Sequence, residues 1–158
     1  MSRWVVLLHV AIAFWFVAGL IGRNLTLARA RSSQQVGLVE ELVELAGRFE
    51  RLMVIPGSFA VLLLGLLAAW AEDLPLAGSG NGWLLVSLLL YVPLFAMVPL
   101  VFLPRGRVFD RVLADASQRG AVTPALTSAL RDPVVAAARA VELVVVAVIL
   151  ALMVVKPF

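Results

Sequence analysis

Four long apolar runs constrain the fold of this chain more than any other feature. They occupy residues 4–21, 52–71, 83–103 and 133–155. A helix needs about 20 apolar residues to cross the roughly 30 Å hydrocarbon core of a bilayer, and each run is close to that length. Hydrophobic residues make up 63% of the chain, and the mean hydropathy is +1.04. We therefore predict an all-α, four-transmembrane-helix bundle, formed by residues 1–158 as a single integral membrane domain.

The first apolar run also has to be compared with a secretory signal peptide, because Ala28-Arg29-Ala30 resembles a cleavage site. Its apolar core of about 18 residues exceeds the usual 7–15. Two arginines, Arg23 and Arg29, separate that core from the site. We predict that this segment is retained as the first membrane helix.

The basic residues are distributed unevenly between the apolar runs. Of the 13 basic residues, ten lie in the two longer connections: Arg23, Arg29, Arg31, Arg48, Arg51, Arg105, Arg107, Arg111, Arg119 and Arg131. The connection 72–82 has none. By the positive-inside rule, both longer connections face the cytoplasm and both termini face outside. The high pI of about 10.6 fits contact with anionic lipid headgroups, and no nucleic-acid partner is predicted.

The two longer connections have the patterns of helices. From Val36 to Met53, apolar residues recur at three- and four-residue steps opposite charged ones, which predicts an amphipathic helix running into the second span. This helix could dock a partner, lie along the headgroups or pack on its own bundle. Residues 107–118 extend the third helix in the same way, with Gly120 as its stop. The expected fold is thus a bundle with amphipathic cytoplasmic helix extensions.

Prolines give further local expectations. Thr123-Pro124 and Asp132-Pro133 each have the pattern of an N-cap followed by a first-turn proline, so a short helix and then the fourth span should begin there. Pro56 near the start of the second span, and Pro99 near the end of the third, predict bends or breaks, since proline removes a backbone hydrogen bond.

Few polar side chains lie within the four runs, and an ionised group at membrane depth usually marks a functional site. Arg139 and Glu142 lie three residues apart in the fourth run, so they can pair with each other or point inward together. Together with Tyr91 they form the candidate proton or ligand site, and His9 in the first run is a candidate haem ligand. These groups could form a polar ladder across the bundle. Alternatively, Arg139 and Glu142 neutralise each other and His9 bonds a carbonyl.

Several kinds of chemistry have little basis in the sequence. The chain has no cysteine and one histidine, so a disulfide framework, a cysteine nucleophile and iron–sulfur ligation are excluded, and no metal site is predicted. No phosphate-binding glycine loop or catalytic triad pattern is visible. Catalytic residues therefore remain unassigned, and the sequence does not decide whether the protein is an enzyme.

Short motifs in all four runs carry a resemblance to known families. They are Leu8-His9-Val10-Ala11, Trp15 to Leu20, Arg51 to Gly57 leading to Leu64-Gly65, Gly82-Trp83-Leu84 and Met153 to Phe158. Together they resemble a bacterial family of small predicted integral membrane proteins of unknown function. The resemblance implies a multi-pass protein of the bacterial cytoplasmic membrane. The small-residue stretches 57–60 and 136–140 also permit close helix approach, within the bundle or in a homo-oligomer.

The same motifs are similar, more distantly, to the HemJ-type protoporphyrinogen oxidases, four-helix membrane proteins that bind haem b. That resemblance implies that His9 is a haem ligand, that Glu142 matches a last-helix carboxylate, and that Lys156 to Phe158 match the family's terminal motif. The chain departs from that family because it has Ser87 where a basic residue is expected and has no second histidine. Ligation by two histidines of one chain is therefore excluded.

Three hypotheses of function follow. The preferred one is an integral membrane protein of the uncharacterised family, with a small intramembrane polar site and an unassigned biochemical role. The second is a haem-binding membrane redox protein related to protoporphyrinogen oxidase, with haem b as its cofactor. The third is a small transporter or proton-conducting subunit in which Glu142 titrates.

Overall fold

The computed structural model describes residues 2–75 and 82–157, which form helices joined by short connections. The helices are α1 (Ser2–Arg31), α2 (Val36–Phe49), α3 (Ile55–Ala71), α4 (Gly82–Met97), α5 (Leu103–Arg119), α6 (Pro124–Leu130) and α7 (Pro133–Val155). One π turn, Glu50–Val54, joins α2 to α3, and a second, Val98–Phe102, joins α4 to α5. Four helical segments are long and apolar enough to cross a membrane. The predicted all-α fold with four such helices is confirmed.

The membrane helices associate as two pairs. The first pair is α1 with α3, and the second is α4 with α7. Glycines bring the first pair together: Gly57 faces Phe16, and Gly19 faces Met53 so closely that an added Cβ would lie 2.6 Å from the Met53 Cβ. Larger side chains join the two pairs in a buried layer of Phe16, Leu20, Val54 and Val146. The helices of the first pair therefore approach each other more closely than the two pairs approach one another.

The amphipathic extensions pack on their own bundle. Their apolar faces form a second core from Ala30, Val39, Ala116, Leu126 and Leu130 at the end of the molecule where α2, α5 and α6 lie, which we call the connection end. The start of α1 and the end of α7 lie at the opposite end, which we call the terminal end. There Lys156 lies over the Trp83 ring at 5.3 Å. Of the three expectations for α2, packing against its own chain is the one observed.

The expected helix boundaries between α5 and α7 are confirmed. Gly120 ends α5 in the left-handed conformation at φ 65°, which glycine adopts without a steric penalty. The Thr123 hydroxyl accepts a hydrogen bond from the Leu126 amide at the start of α6. The Asp132 carboxylate accepts from the amides of Val134 and Val135 at the start of α7. These caps fix where the fourth membrane helix begins.

The proline-containing segments remain helical but change their hydrogen-bond pattern. The helix does not break at Pro56, because the backbone is helical from Val36 to Ala71 with the first π turn just before this proline. Pro99 lies inside the second π turn. Each π turn has one more residue per turn than the α-helix around it and shifts the register of the side chains that follow. Both π turns border the site described below.

Candidate intramembrane ligand site

A buried ion-pair network centres on Arg23 of α1. Arg23 is 5% exposed, and its guanidinium donates to the carboxylates of Glu50, at 2.6 Å, and of Glu142. The network thus joins α1, the first π turn and α7. Arg23 follows the first apolar run, but α1 continues to Arg31 and places Arg23 in the protein interior.

The helical register of α1 explains the position of Arg23. His9, Phe16 and Arg23 are separated by seven residues each, or about two helical turns, so they lie on one face of α1. Phe16 is 5% exposed and Leu20 is fully buried on this face. Arg23 is therefore the continuation of the face that α1 presents to the other helices.

Arg139 and Glu142 both point inward but do not pair with each other. Glu142 is bound to Arg23, and the described residues contain no ion pair between Arg139 and Glu142. The Nε atoms of Arg139 and Arg23 are buried without a hydrogen-bond partner in the described part of the chain. Of the two alternatives for Arg139 and Glu142, inward placement is observed, and a residue of another helix supplies the partner of Glu142.

A cavity of about 440 Å³ lies beside this network at the connection end, and we call it the basic cavity. Its charged lining residues are Arg23, Arg31, Arg105, Arg139, Glu50 and Asp132. Four arginines thus face two carboxylates. The volume falls within the range of small-molecule sites, about 300–1,000 Å³. The basic cavity has the size and the excess positive charge to accept an anionic group.

Three of the four arginines already have partners. Arg23 binds its two carboxylates, Arg31 donates from Nε to the Leu130 carbonyl at 2.9 Å, and Arg105 binds Asp132. Arg23 also lies 5.9 Å from the Phe102 ring centroid, within the range of a cation–π contact. Arg139 has neither an ion pair nor a side-chain hydrogen bond within the described residues. It is the arginine with the most capacity left for a ligand.

Asp132 lies just outside the fourth span and holds Arg105 at the edge of the basic cavity. Partial desolvation favours the neutral acid, but hydrogen bonds from the Val135 amide, the Arg105 side chain and the Val134 amide outweigh it. Together they lower the pKa of Asp132 below its usual value. Asp132 is therefore ionised at neutral pH, and it reduces the net positive charge of the cavity.

A second, smaller cavity lies nearer the terminal end, and we call it the apolar cavity. It measures about 70 Å³ and is lined by His9, Gly65, Ser87, Tyr91 and mostly aliphatic side chains. The His9 ring lies against Gly65, and its Nδ1 atom is buried without a partner in the described part of the chain. Tyr91 donates its hydroxyl to the Ser58 carbonyl at 2.9 Å. The apolar cavity therefore brings His9 and Tyr91 together.

The described residues contain no direct hydrogen bond that would link His9, Tyr91 and Glu142 into the polar ladder, one of the two alternatives. His9 and Arg23 are fourteen residues apart on α1, a rise of about 21 Å, and the buried layer of Phe16, Leu20, Val54 and Val146 lies between them. Tyr91 shares a cavity with His9, while Arg139 lines the basic cavity. Glu142 lines neither cavity and is held by Arg23.

Haem does not fit around His9 in this arrangement. A volume of about 70 Å³ is well below that of sites for drug-sized ligands, and haem is at least as large. Gly65 touches the His9 ring, so no macrocycle can lie between them without separating α1 from α3. Among the described residues, no group of three His, Cys, Asp or Glu side chains could hold a metal ion.

Two residues of the network, Arg23 and Glu50, were not predicted as site residues. Arg23 follows the end of the first apolar run, and Glu50 lies on a predicted amphipathic helix, so both have the sequence context of surface charges. The signal that identifies Arg23 is its seven-residue spacing from Phe16 and His9. No comparable signal identifies Glu50, because the first π turn shifts its position on the helix.

The fold and this site together define an integral membrane protein that carries a charged network inside a four-helix bundle. The chain belongs to the family described as predicted integral membrane protein (DUF2269), whose sequence model matches residues 3–157. The resemblance to a family of small integral membrane proteins of unknown function is confirmed. No curated protein and no solved structure is similar enough to be matched to the chain.

Proposed function

We propose that this protein is an integral membrane binding protein that holds a ligand with an anionic group in the basic cavity. The observation that carries the proposal is the state of Arg139, which lines the cavity with its Nε buried and unpartnered in the described part of the chain. A buried donor without a partner costs about 1–3 kcal/mol, and more when it is charged. Nε itself is enclosed by protein atoms, so a ligand in the cavity would approach the terminal nitrogens of Arg139 and offset part of that cost by compensating the guanidinium charge.

The chemistry of the cavity favours a phosphate or carboxylate group. Guanidinium groups bind both in a bidentate way, and such charge-assisted bonds are stronger than neutral ones. Two carboxylates already hold Arg23, so Arg139 is the main contact of the ligand. Arg23 adds a longer-range electrostatic attraction from the cavity floor. Glu50 and Asp132 limit how much negative charge the cavity accepts.

The distribution of basic residues supports a specific orientation of the bundle. We propose that the connection end faces the cytoplasm of a bacterial cell and that both termini face outside, as the positive-inside rule implies. The basic cavity then opens at the cytoplasmic half of the membrane. The small-residue stretch 136–140 would allow the close helix approach that a homo-oligomer requires.

Ligand-induced thermal stabilisation in a neutral maltoside detergent tests the proposal. Dihexanoyl phosphatidic acid, a short-chain probe with an anionic phosphate, should raise the melting temperature of the wild-type protein. The Arg139→Gln variant should lose most of that shift. Arg111→Gln removes the same charge from an exposed position outside the cavity lining and should keep it. No shift in the wild type, or equal shifts in both variants, would overturn the proposal.

Proton conduction through Glu142 has less support from the geometry. The carboxylate of Glu142 is held in an ion pair by Arg23, so it would have to leave Arg23 before it could carry a proton along a path. The buried layer of Phe16, Leu20, Val54 and Val146 also separates the two cavities. A conducting path would need both features to change.

A further inference from the structure

We propose that the ligand of the basic cavity is an anionic phospholipid that enters sideways from the surrounding bilayer, between α3 and the second π turn. This inference rests on the proposed function and adds the class of ligand and its route. It follows from the distribution of polarity around the cavity and from the helix packing on its open side.

The mouth of the basic cavity is apolar. Its exposed lining residues are Ile55 on α3, Val98 in the second π turn, and Leu103 and Val108 on α5, at 47%, 43%, 51% and 57% exposure. In a bilayer, side chains of this kind face acyl chains rather than water. The part of the mouth formed by Ile55, Val98 and Leu103 therefore opens toward lipid, whereas Val108 and the partly exposed Arg105 lie on its cytoplasmic side.

The floor of the same cavity is buried and charged. Arg23 is 5% exposed there, and Arg139 contributes its guanidinium, which makes no ion pair in the described part of the chain. Leu27 and Leu130, at 9% and 8% exposure, form the apolar part of the floor. Polarity thus rises from an apolar mouth to a cationic floor. An amphiphile matches this gradient, with its phosphate on Arg139 and its chains along Ile55 and Val98.

Helix packing leaves the mouth open. The second π turn packs more closely on α7 than on α3, and α4 likewise pairs with α7. The side of the second π turn toward α3 is therefore free to admit a chain. Basic pockets between membrane helices on the cytoplasmic side are a known form of lipid-headgroup site. Here both π turns border the pocket, and π turns are frequent at functional sites.

Native mass spectrometry of the protein in neutral detergent tests this inference, with dioleoyl phosphatidic acid as the lipid probe and dioleoyl phosphatidylcholine as its zwitterionic control. Wild-type protein should retain the phosphatidic acid and release the phosphatidylcholine. The Arg139→Gln variant should bind phosphatidic acid about tenfold more weakly or worse, as expected for the loss of a charge-assisted contact. A second arm adds sn-glycerol 3-phosphate, the headgroup without chains, which should not displace the lipid.

The route has its own test. Val98→Trp fills the mouth and should weaken dioleoyl phosphatidic acid binding by about tenfold. The matched control is Val92→Trp, which places the same side chain on an exposed position of α4 outside the cavity lining and should leave binding unchanged. Equal binding by the two tryptophan variants would overturn the lateral route.

The outcomes separate this inference from the proposed function. If sn-glycerol 3-phosphate displaces the lipid in an Arg139-dependent way, the ligand is water-soluble, so the lipid inference fails while the proposed function stands. If neither phosphate compound binds in an Arg139-dependent way, both fail. Equal retention of phosphatidylcholine would show a general lipid contact and would also overturn the inference.

Discussion

Arg23 and Arg139 are both arginines inside the bundle, and their surroundings give them different roles. Arg23 is the centre of a network in which two carboxylates compensate its charge. Arg139 has no such partner among the described residues. A compensated charge stabilises the fold through its partners, whereas an uncompensated one costs stability and is retained for another reason. The two residues should therefore respond to mutation in opposite ways.

The first prediction concerns Arg23. Arg23→Met should destabilise the protein by about 3–5 kcal/mol, because it leaves Glu142 buried without its partner. Replacing both residues, Arg23→Met with Glu142→Met, should recover much of that loss, since no isolated charge remains at the pair. Unfolding of detergent-solubilised protein by increasing denaturant measures both effects.

Arg48→Met is the matched control for the Arg23 prediction. It breaks the exposed pair of Arg48 and Glu44 within α2, where both side chains are 62% exposed. An exposed i,i+4 pair contributes little to stability because water screens it. If Arg23→Met were no more harmful than Arg48→Met, the buried network would not stabilise the fold.

The second prediction concerns Arg139. Without ligand, Arg139→Gln should leave stability unchanged or raise it, because the substitution removes a buried charge that makes no ion pair in the described part of the chain. The same variant should lose phosphate-dependent stabilisation. A gain in stability with a loss of binding is the behaviour of a binding residue. A large loss of stability in ligand-free protein would instead show that Arg139 supports the fold.

At the scale of elements, the start of α7 depends on Asp132, which caps the helix and binds Arg105. The same carboxylate forms the cap and the ion pair. Substitution by asparagine removes the charge but keeps an oxygen that can cap the helix, so the two contributions can be measured separately. The third prediction is that Asp132→Ala costs about 0.5–2 kcal/mol through the lost cap. Asp132→Asn keeps an oxygen acceptor and should cost less. Both are measured by denaturant unfolding.

The lowered pKa of Asp132 also predicts a pH dependence. Its folded pKa lies below the unfolded value of about 3.9, so its contribution to stability is present above that pH and is lost as the pH falls through the folded pKa. Asp132→Asn should remove this part of the acid destabilisation. If wild type and Asp132→Asn lost stability in parallel below about pH 4, Asp132 would not be the group responsible.

The close packing of α1 on the first π turn, at Gly19 and Met53, leads to the fourth prediction. Gly19→Ala should destabilise the fold, because the added Cβ would lie 2.6 Å from the Met53 Cβ, which cannot move without the backbone. Gly37→Ala is the control: it meets no atom within 4 Å in α2 and should gain up to about 1 kcal/mol from helix propensity. Equal effects on thermal stability would contradict the close packing.

At the scale of the whole molecule, the two cavities differ in size and chemistry, and the buried layer containing Leu20 separates them. The small apolar cavity beside His9 does not accommodate haem. The fifth prediction is therefore an absorption spectrum without a Soret band for protein purified from cells supplied with haem precursors. A Soret band that disappears in His9→Ala would contradict it and would support the haem hypothesis.

Some of these features depend on local sequence and could be predicted. The four apolar runs determine membrane helices because a backbone without water must satisfy its own hydrogen bonds. The caps at Thr123 and Asp132 and the stop at Gly120 are equally local, since each acts within a few residues of itself. Inward placement of Glu142 and Arg139 was one of the two alternatives that the sequence allowed, since membrane depth makes contact of a charge with lipid costly.

The tertiary structure alone decided which charges meet. Arg23 and Glu142 are separated by 119 positions in the chain, and nothing in the sequence around either residue specifies the other. Their contact depends on how the first pair of helices, α1 and α3, sits against the second, α4 and α7. The sequence thus determined a four-helix membrane protein with charges inside it, whereas packing between helices paired Arg23 with Glu142 and left Arg139 facing an open basic cavity.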